Sequence, residues 1–305
     1  MENIYGPVPS RRLGLSLGVS PIPKKYCNYS CVYCQLGRTD HMTNKRELFF
    51  KVESIMAEFD EFLKGGAAFD VVTIVGEGEP TLYKDLGALV DGIHERTDKP
   101  VAVITNGALL YDPAVRAELS RADIVLPSLD AYDEASYKMI DRPHGSIGFD
   151  KYFAGLKLFS EQYQGQIWIE IMLVKGMNDD DASLAKFAAL LKRVRHDRLY
   201  LNTPMRPPAE SGVQAADSKT MQHAVAVLGG ISIDLLASYG FYSGIADHYE
   251  AILSIIRRHP MNQHEIEGFL QARDCHDEKD ILARLEKDDR VTMIEYKGYR
   301  TFRLK

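Results

Sequence analysis

The chain has 305 residues, of which 45% are hydrophobic and 26% are charged. This length and composition suit one or two globular domains and exclude a disordered protein, a collagen-like repeat and a small disulfide scaffold. With a net charge of −6, the molecule does not attract polyanions by bulk charge. The apolar runs are too short to cross a membrane and the first residues carry no export signal, so we predict a cytoplasmic protein without membrane contact.

The first two thirds of the sequence predict strands that alternate with helices. The first strand is predicted at Leu13 to Val19, and a helix over about 52–63 follows and ends at Gly65-Gly66. Further strands are predicted at 71–75, 101–104, 124–126, 167–173 and 199–202, and further helices after Asp112, Asp133 and Asp150 and over about 184–194. Six strands in this order specify a parallel sheet, and an α/β partial (β/α)6 barrel of the TIM type is the simplest architecture.

The last part of the chain has a different pattern. Three short helices are predicted over about 249–258, from the capping-box-like segment 262–265, and over about 277–286. Val291 to Tyr296 and Tyr299 to Leu304 flank Lys297-Gly298 as a β-hairpin. Because three helices followed by a hairpin is the order of a winged helix, we predict a barrel over 1–228, a linker over 229–248 and a small winged-helix-like domain over 249–305.

The four cysteines are unevenly placed. Cys27, Cys31 and Cys34 lie within eight residues, whereas Cys275 is remote. In a reducing compartment this clustering indicates metal or redox chemistry, because a disulfide framework would spread its cysteines along the chain. Three thiolates at this spacing can hold three irons of an iron–sulfur cube and leave the fourth iron open. A structural zinc site is the alternative, with His41 or Cys275 as the fourth ligand.

Polar segments follow four of the predicted strands. Since the carboxyl ends of parallel strands open onto one face of a barrel, these segments are expected to share that face with the cysteines. They are Gly76-Glu77-Gly78-Glu79-Pro80, Thr105-Asn106-Gly107, Ser128-Leu129-Asp130 and Asn202-Thr203-Pro204.

Together these motifs resemble those of the radical S-adenosylmethionine (SAM) superfamily. The Cys-x3-Cys-x2-Cys loop after a first strand is the hallmark of that family, and residues 76–80 are similar to the Gly-Gly-Glu-Pro segment that binds the methionine amine. Segments 5–12, 128–130, 142–145 and 201–204 resemble the group often labelled wyosine-synthase-like. The resemblance covers about residues 10–210 and implies a 4Fe–4S cluster on Cys27, Cys31 and Cys34, with SAM as the second cofactor.

The resemblance also implies a reaction and a set of SAM contacts. The cluster would reductively cleave SAM to a 5′-deoxyadenosyl radical that abstracts hydrogen from a substrate, with a flavodoxin- or ferredoxin-type electron donor. Glu79 or Glu77 would bind the SAM ammonium, and Tyr33 would lie against the adenine. The remaining SAM contacts implied are Gly76, Gly78, Pro80, Asn106, Ser128 and Glu170.

Several other polar residues have simpler interpretations. Arg11 and Arg12 are interpreted as a solvated basic pair, with anion binding as the alternative. Asp130 and His144 are either substrate or proton-transfer groups or caps of their loops. Cys275 is interpreted as a small residue of the C-terminal domain.

The sequence leaves the substrate open. The wyosine synthase of the group that this chain resembles has a second cluster held by three more cysteines. After the triad, only Cys275 remains in this sequence. We therefore expect another substrate, either RNA such as transfer RNA or a protein, presented by the C-terminal domain. The alternative is an iron–sulfur redox sensor with a winged-helix binding module and no turnover. Residues 251–305 carry 11 Lys and Arg against 10 Asp and Glu, which is weakly basic for a nucleic-acid reader.

Overall fold

The computed structural model describes residues 1–233, 241–275, 277–296 and 298–305. The predicted linker over 229–248 lies partly outside the described residues, as does Lys297 of the predicted hairpin turn. Over the described residues, no helix combines the length and apolar character needed to cross a bilayer.

A single eight-stranded sheet forms the centre of the fold and contains all six predicted strands. Its order is β1-β2-β5-β6-β7-β8-β9-β10, and every neighbouring pair is parallel except β1 and β2. Two very short strands, β3 and β4, pair separately. The bounds are β1 Ile4–Ser10, β2 Gly14–Val19, β3 Tyr26–Cys27, β4 His41–Met42, β5 Val71–Ile74, β6 Val101–Thr105, β7 Ile124–Pro127, β8 Gln166–Met172, β9 Arg198–Asn202 and β10 Ile231–Ser232.

The helices of this part cover one face of the sheet. Phe59, Phe159 and Phe187 come from three of these helices and are fully buried in one core with the strand residues that face them. Strand side chains that point the other way, including Trp168 and Tyr200, form a separate cluster. Helices on one face and side chains packed on the other are the layers of a barrel-type sheet. The helices are α1 Val52–Lys64, α2 Leu86–His94, α3 Pro113–Leu119, α4 Glu134–Ile140, α5 Phe149–Gln162, α6 Asp181–Leu191 and α7 Ser218–Leu228.

Several of these elements were not predicted from the sequence. Strand β1 was missed because Pro7 and Pro9 lie within it, and proline is tolerated only at a sheet edge, which is where β1 lies. Helices α2 and α7 and the short edge strand β10 were also missed.

The C-terminal unit, residues 241–305, has its own apolar core. It contains α8 His248–Ile256, β11 Met261–Asn262, α9 Gln263–Gln271, α10 Glu278–Lys287, β12 Val291–Tyr296 and β13 Tyr299–Leu304. Its three strands pair in the order β11-β13-β12. The capping box of Asn262 and Glu265 is present as predicted, the predicted hairpin strands pair with each other, and Cys275 is buried in this core.

Candidate functional site

The cysteine loop, residues 20–43, follows β2 at the carboxyl end of the parallel strands. Its three thiols are unbridged. Backbone bonds from α4 and the segment after it hold the loop, since Val32 N donates to Ile140 O at 2.9 Å and His144 N donates to Asn28 O at 2.7 Å. The segment 142–145 therefore acts as a support for the cysteine loop. The His144 ring contacts Ser146 at 2.8 Å, as a loop cap would.

The electrostatics of the three thiols suit a bound cationic group. Burial raises the pKa of Cys27, Cys31 and Cys34, and the negative charges of Glu79 and Asp141 raise the pKa of Cys27 and of Cys31, respectively, still further. Metal ligation requires thiolates, so a positive group must supply the missing stabilisation. Two N–H groups already point at Cys27 Sγ, from Tyr29 N at 3.4 Å and Asn106 Nδ2 at 3.8 Å. Donors to a ligand sulfur are characteristic of iron–sulfur sites, so the residues fit such a cluster.

The two residues proposed as a fourth zinc ligand have other roles. Cys275 is buried in the core of the C-terminal unit, and the His41 ring stacks on Tyr26 with 4.3 Å between centroids. Within the described ranges, no three His, Cys, Asp or Glu side chains come together closely enough to hold a single metal ion.

Glu79 lies at the centre of the turn that follows β5. Its buried side chain accepts four hydrogen bonds from the chain itself. Oε1 accepts from Thr81 N at 3.0 Å and from the hydroxyls of Thr81 and Thr105 at 2.6 Å each. Oε2 accepts from Asn106 N at 2.8 Å. These donors stabilise the carboxylate, whereas burial raises its pKa. Glu79 thus joins the ends of β5 and β6.

Glu77 points to a different place from Glu79. Its Oε2 lies 3.2 Å from Arg258 Nε and its Oε1 lies 3.8 Å from Arg257 Nε, both in the C-terminal unit. The glycines on either side are required by packing. A Cβ at Gly78 would lie 1.8 Å from the carbonyl oxygen of Tyr26 in the cysteine loop, and a Cβ at Gly76 would lie 2.5 Å from Ile22.

The half-buried Tyr33 and the buried Asp130 form a pair beside the thiols. The Tyr33 hydroxyl donates to Asp130 Oδ2, and Asp130 Oδ1 accepts from Met172 N at 2.6 Å. Burial raises the pKa of Asp130 to about 7. Asp141, whose pKa is raised well above its usual range by burial and by Asp130, contacts Cys31 Sγ at 3.7 Å. Asp130 therefore links the cysteine loop to β8.

The other predicted SAM contacts lie at the same edge of the sheet. Asn106 Nδ2 donates to Asn28 Oδ1 at 2.7 Å, and Ser128 bridges to Glu170 across neighbouring strands. Glu170 pairs with Arg12, whose side chain is only 18% exposed. The interpretation of Arg12 as a solvated residue is therefore wrong. Its partner lies 158 residues away, so no local pattern could show this ion pair.

Sequence reasoning did not single out two residues that contact this site. Asn28, in the cysteine loop, is fully buried and accepts a hydrogen bond from Asn106. Asp141 is buried against Cys31. Asn28 directly follows the first cysteine, and that adjacency was the only signal available. Asp141 comes from the end of α4 and gave no signal.

The segment that carries the site matches a known family. The model of the radical SAM superfamily matches residues 22–188, more than half of the chain. The chain belongs to the radical SAM superfamily. UPF0026 protein MJ1312 of Methanocaldococcus jannaschii is 33% identical over 306 residues, which cover 98% of this chain and 94% of that protein. A protein named GTPase Obg from Brachyspira hyodysenteriae is 40% identical over 223 residues, 73% of this chain, and the match spans only 33% of that relative.

The fold is also found among solved radical SAM proteins. The structure of TYW1 with a lysine-pyruvate adduct bound superposes with a TM-score of 0.52 and 20% identity, and the match covers 70% of this chain and 72% of that one. Likeness at this identity concerns the fold alone. The predicted superfamily is confirmed, and the chain is a radical SAM enzyme. Membership implies SAM and a 4Fe–4S cluster as cofactors, and the thiols and Glu79 described above fit these groups.

Proposed function

We propose that this radical SAM enzyme binds a 4Fe–4S cluster through Cys27, Cys31 and Cys34 and binds SAM beside it. When bound, the two cofactors supply a 5′-deoxyadenosyl radical that abstracts a hydrogen atom from the substrate. The electron comes from a flavodoxin- or ferredoxin-type donor. One observation carries the proposal: Asn106 joins the two motifs, because its backbone N lies 2.8 Å from Glu79 Oε2 and its side chain lies 3.8 Å from Cys27 Sγ.

The residues of the chain divide the work of binding and orientation. Each carboxylate oxygen accepts about two hydrogen bonds. Glu79 Oε1 already has three donors, so the SAM ammonium is assigned to Oε2, which has one donor from Asn106. Glu77 forms an ion pair with Arg258 and is assigned to holding the C-terminal unit. Tyr33 is fixed by Asp130, which orients its ring for the adenine.

We propose a macromolecular substrate, RNA or protein, presented by the C-terminal unit. The order of helices and hairpin in that unit is that of a winged helix, and its last strand reaches the cysteine loop through Arg303 and Gln35. The alternative, a redox sensor without turnover, gains no support from Glu79. Its hydrogen bonds order the turn after β5, which is proposed to bind SAM, and a sensor needs no SAM site.

Anaerobic turnover tests the proposed chemistry. The cluster is reconstituted, dithionite and SAM are added, and 5′-deoxyadenosine is quantified by chromatography. We expect product only with reductant, none from the alanine variants of Cys27, Cys31 and Cys34, and unchanged product from Cys275→Ala. A triad variant that retains four-iron absorption would refute the ligand assignment. Wild-type protein that holds the cluster but forms no 5′-deoxyadenosine would contradict the proposed cleavage of SAM.

The substrate class has its own test. Total transfer RNA or a protein extract is added to the same assay, and the stimulation of 5′-deoxyadenosine formation is measured before and after ribonuclease or protease treatment. Loss of stimulation by one of the two treatments identifies the class. Equal rates with and without both fractions would contradict a macromolecular substrate.

A further inference from the structure

The end of strand β13 contacts the cysteine loop on both sides of the three cysteines. Lys24, before the first cysteine, donates through Nζ to the main-chain oxygen of Lys305 at 2.6 Å. Arg303 Nη1 donates at 3.1 Å to the carbonyl of Gln35, directly after the last cysteine. An irregular loop gains order when it is fixed to a rigid element at two separate points.

Strand β13 is rigid enough for this role. It is the central strand of its sheet and pairs with β11 on one side and β12 on the other. Phe302 anchors it in the core of the C-terminal unit with no exposed surface. Because side chains alternate along a strand, Arg303 leaves the opposite face from Phe302, and this face meets the loop.

Arg303 also brings charge to the last cysteine. Its half-buried guanidinium lies near Gly37: a Cβ added there would be 4.0 Å from Arg303 Nη2 and 3.7 Å from the Lys25 ammonium nitrogen. Gln35 directly follows Cys34, and Gly37 N donates to the Cys34 carbonyl at 3.1 Å, so both cations lie on the short segment that carries the last cysteine. Partly buried cations favour negative charge on a neighbouring sulfur.

We propose that the end of β13 is a staple for the cysteine loop, and that Arg303 is a positioning residue for the cluster. It holds the Gln35 carbonyl and places a positive charge beside Cys34. The electrostatic part rests on the proposed function, since it assumes a cluster on Cys34. A fixed cation beside a cluster favours addition of an electron, so the C-terminal unit belongs to the redox site as well as to substrate presentation.

The staple is tested first in the metal-free protein. Hydrogen exchange followed by mass spectrometry compares Arg303→Ala with wild type over residues 35–37. We expect about fivefold faster exchange, the factor that loss of one ordinary hydrogen bond gives. Unchanged exchange in β12 shows that the hairpin is intact. Arg300→Gln is the matched control, because Arg300 lies on the same strand and pairs with Glu286. Wild-type exchange over 35–37 in Arg303→Ala would overturn the staple.

The charge is tested in the reconstituted protein by redox titration. Arg303→Gln should lower the midpoint potential by about 28 mV, a threefold change in the reduction equilibrium at 59 mV per tenfold for one electron. Arg303→Lys should restore most of it, and Arg300→Gln should leave it unchanged. An unchanged potential in Arg303→Gln would overturn the electrostatic role. Wild-type protein that binds no cluster would refute the proposed function instead, and the exchange result would still stand.

Discussion

Glu79 allows a quantitative test of what holds the turn that follows β5. Its carboxylate accepts two main-chain N–H groups, from Thr81 and Asn106, and two hydroxyls. Hydroxyls can rotate to other acceptors, whereas main-chain donors cannot. A buried donor left without a partner costs about 1–3 kcal/mol. Glu79→Ala strands two such donors and should lower the free energy of unfolding by about 2–6 kcal/mol.

The isosteric variant separates shape from hydrogen bonding. In Glu79→Gln the amide oxygen can keep the three donors on the Oε1 side, and the NH2 group then faces the Asn106 N–H. One unpaired donor predicts a loss of about 1–3 kcal/mol. Without the carboxylate charge, SAM should also bind about 10- to 100-fold more weakly, because hydrogen bonds to charged groups contribute about 1.5–3 kcal/mol.

The assays are urea unfolding of the metal-free protein and equilibrium dialysis of SAM with the reconstituted protein. Glu95→Gln is the control, since the Glu95 side chain is 75% exposed, and it should change stability by less than about 0.5 kcal/mol. If Glu79→Ala lost less than about 1 kcal/mol, the reasoning about stranded donors would be refuted. Unaltered SAM affinity in Glu79→Gln would show that Glu79 does not bind the SAM ammonium.

Three further predictions concern the same edge of the barrel. Gly78→Ala puts a Cβ 1.8 Å from a backbone oxygen of the cysteine loop, so it should lower the free energy of unfolding by about 3 kcal/mol and reduce cluster loading. Gly145→Ala is the control, because the space around Gly145 is open. Equal urea midpoints for the two variants would contradict the packing argument. The raised pKa of about 7 for Asp130 means that the folded state binds more protons than the unfolded state between about pH 4 and 7, so stability should fall as pH rises through this window. In Asp130→Asn, the urea midpoint should depend much less on pH. A pH dependence equal to that of wild type would contradict the role of Asp130. Glu77→Gln leaves Arg258 buried without its counter-charge and should cost about 3 kcal/mol, whereas a urea midpoint equal to wild type would show that the pair contributes nothing.

Local sequence patterns were sufficient for most of the fold. The six central strands have continuous apolar runs or clear alternation with helices, and these patterns depend on near neighbours along the chain. The capping box of Asn262 and Glu265 is likewise a contact between residues three apart. The cysteine spacing indicated a cluster for the same reason, because the three predicted ligands lie in one short loop. Strand β1 was missed because its prolines are compatible with pairing only at an edge, and edges are defined by the whole sheet.

The sequence by itself thus determined the family and the central strands, and the three cysteine ligands stay a prediction. Only the tertiary structure separates the two neighbouring acids, because Glu79 meets donors at the end of β6 whereas Glu77 meets Arg258 from the C-terminal unit. It also decided that Arg303 reaches Gln35, across 268 residues of chain. Such pairings depend on how separate elements pack together, and neither periodicity nor local spacing encodes that packing.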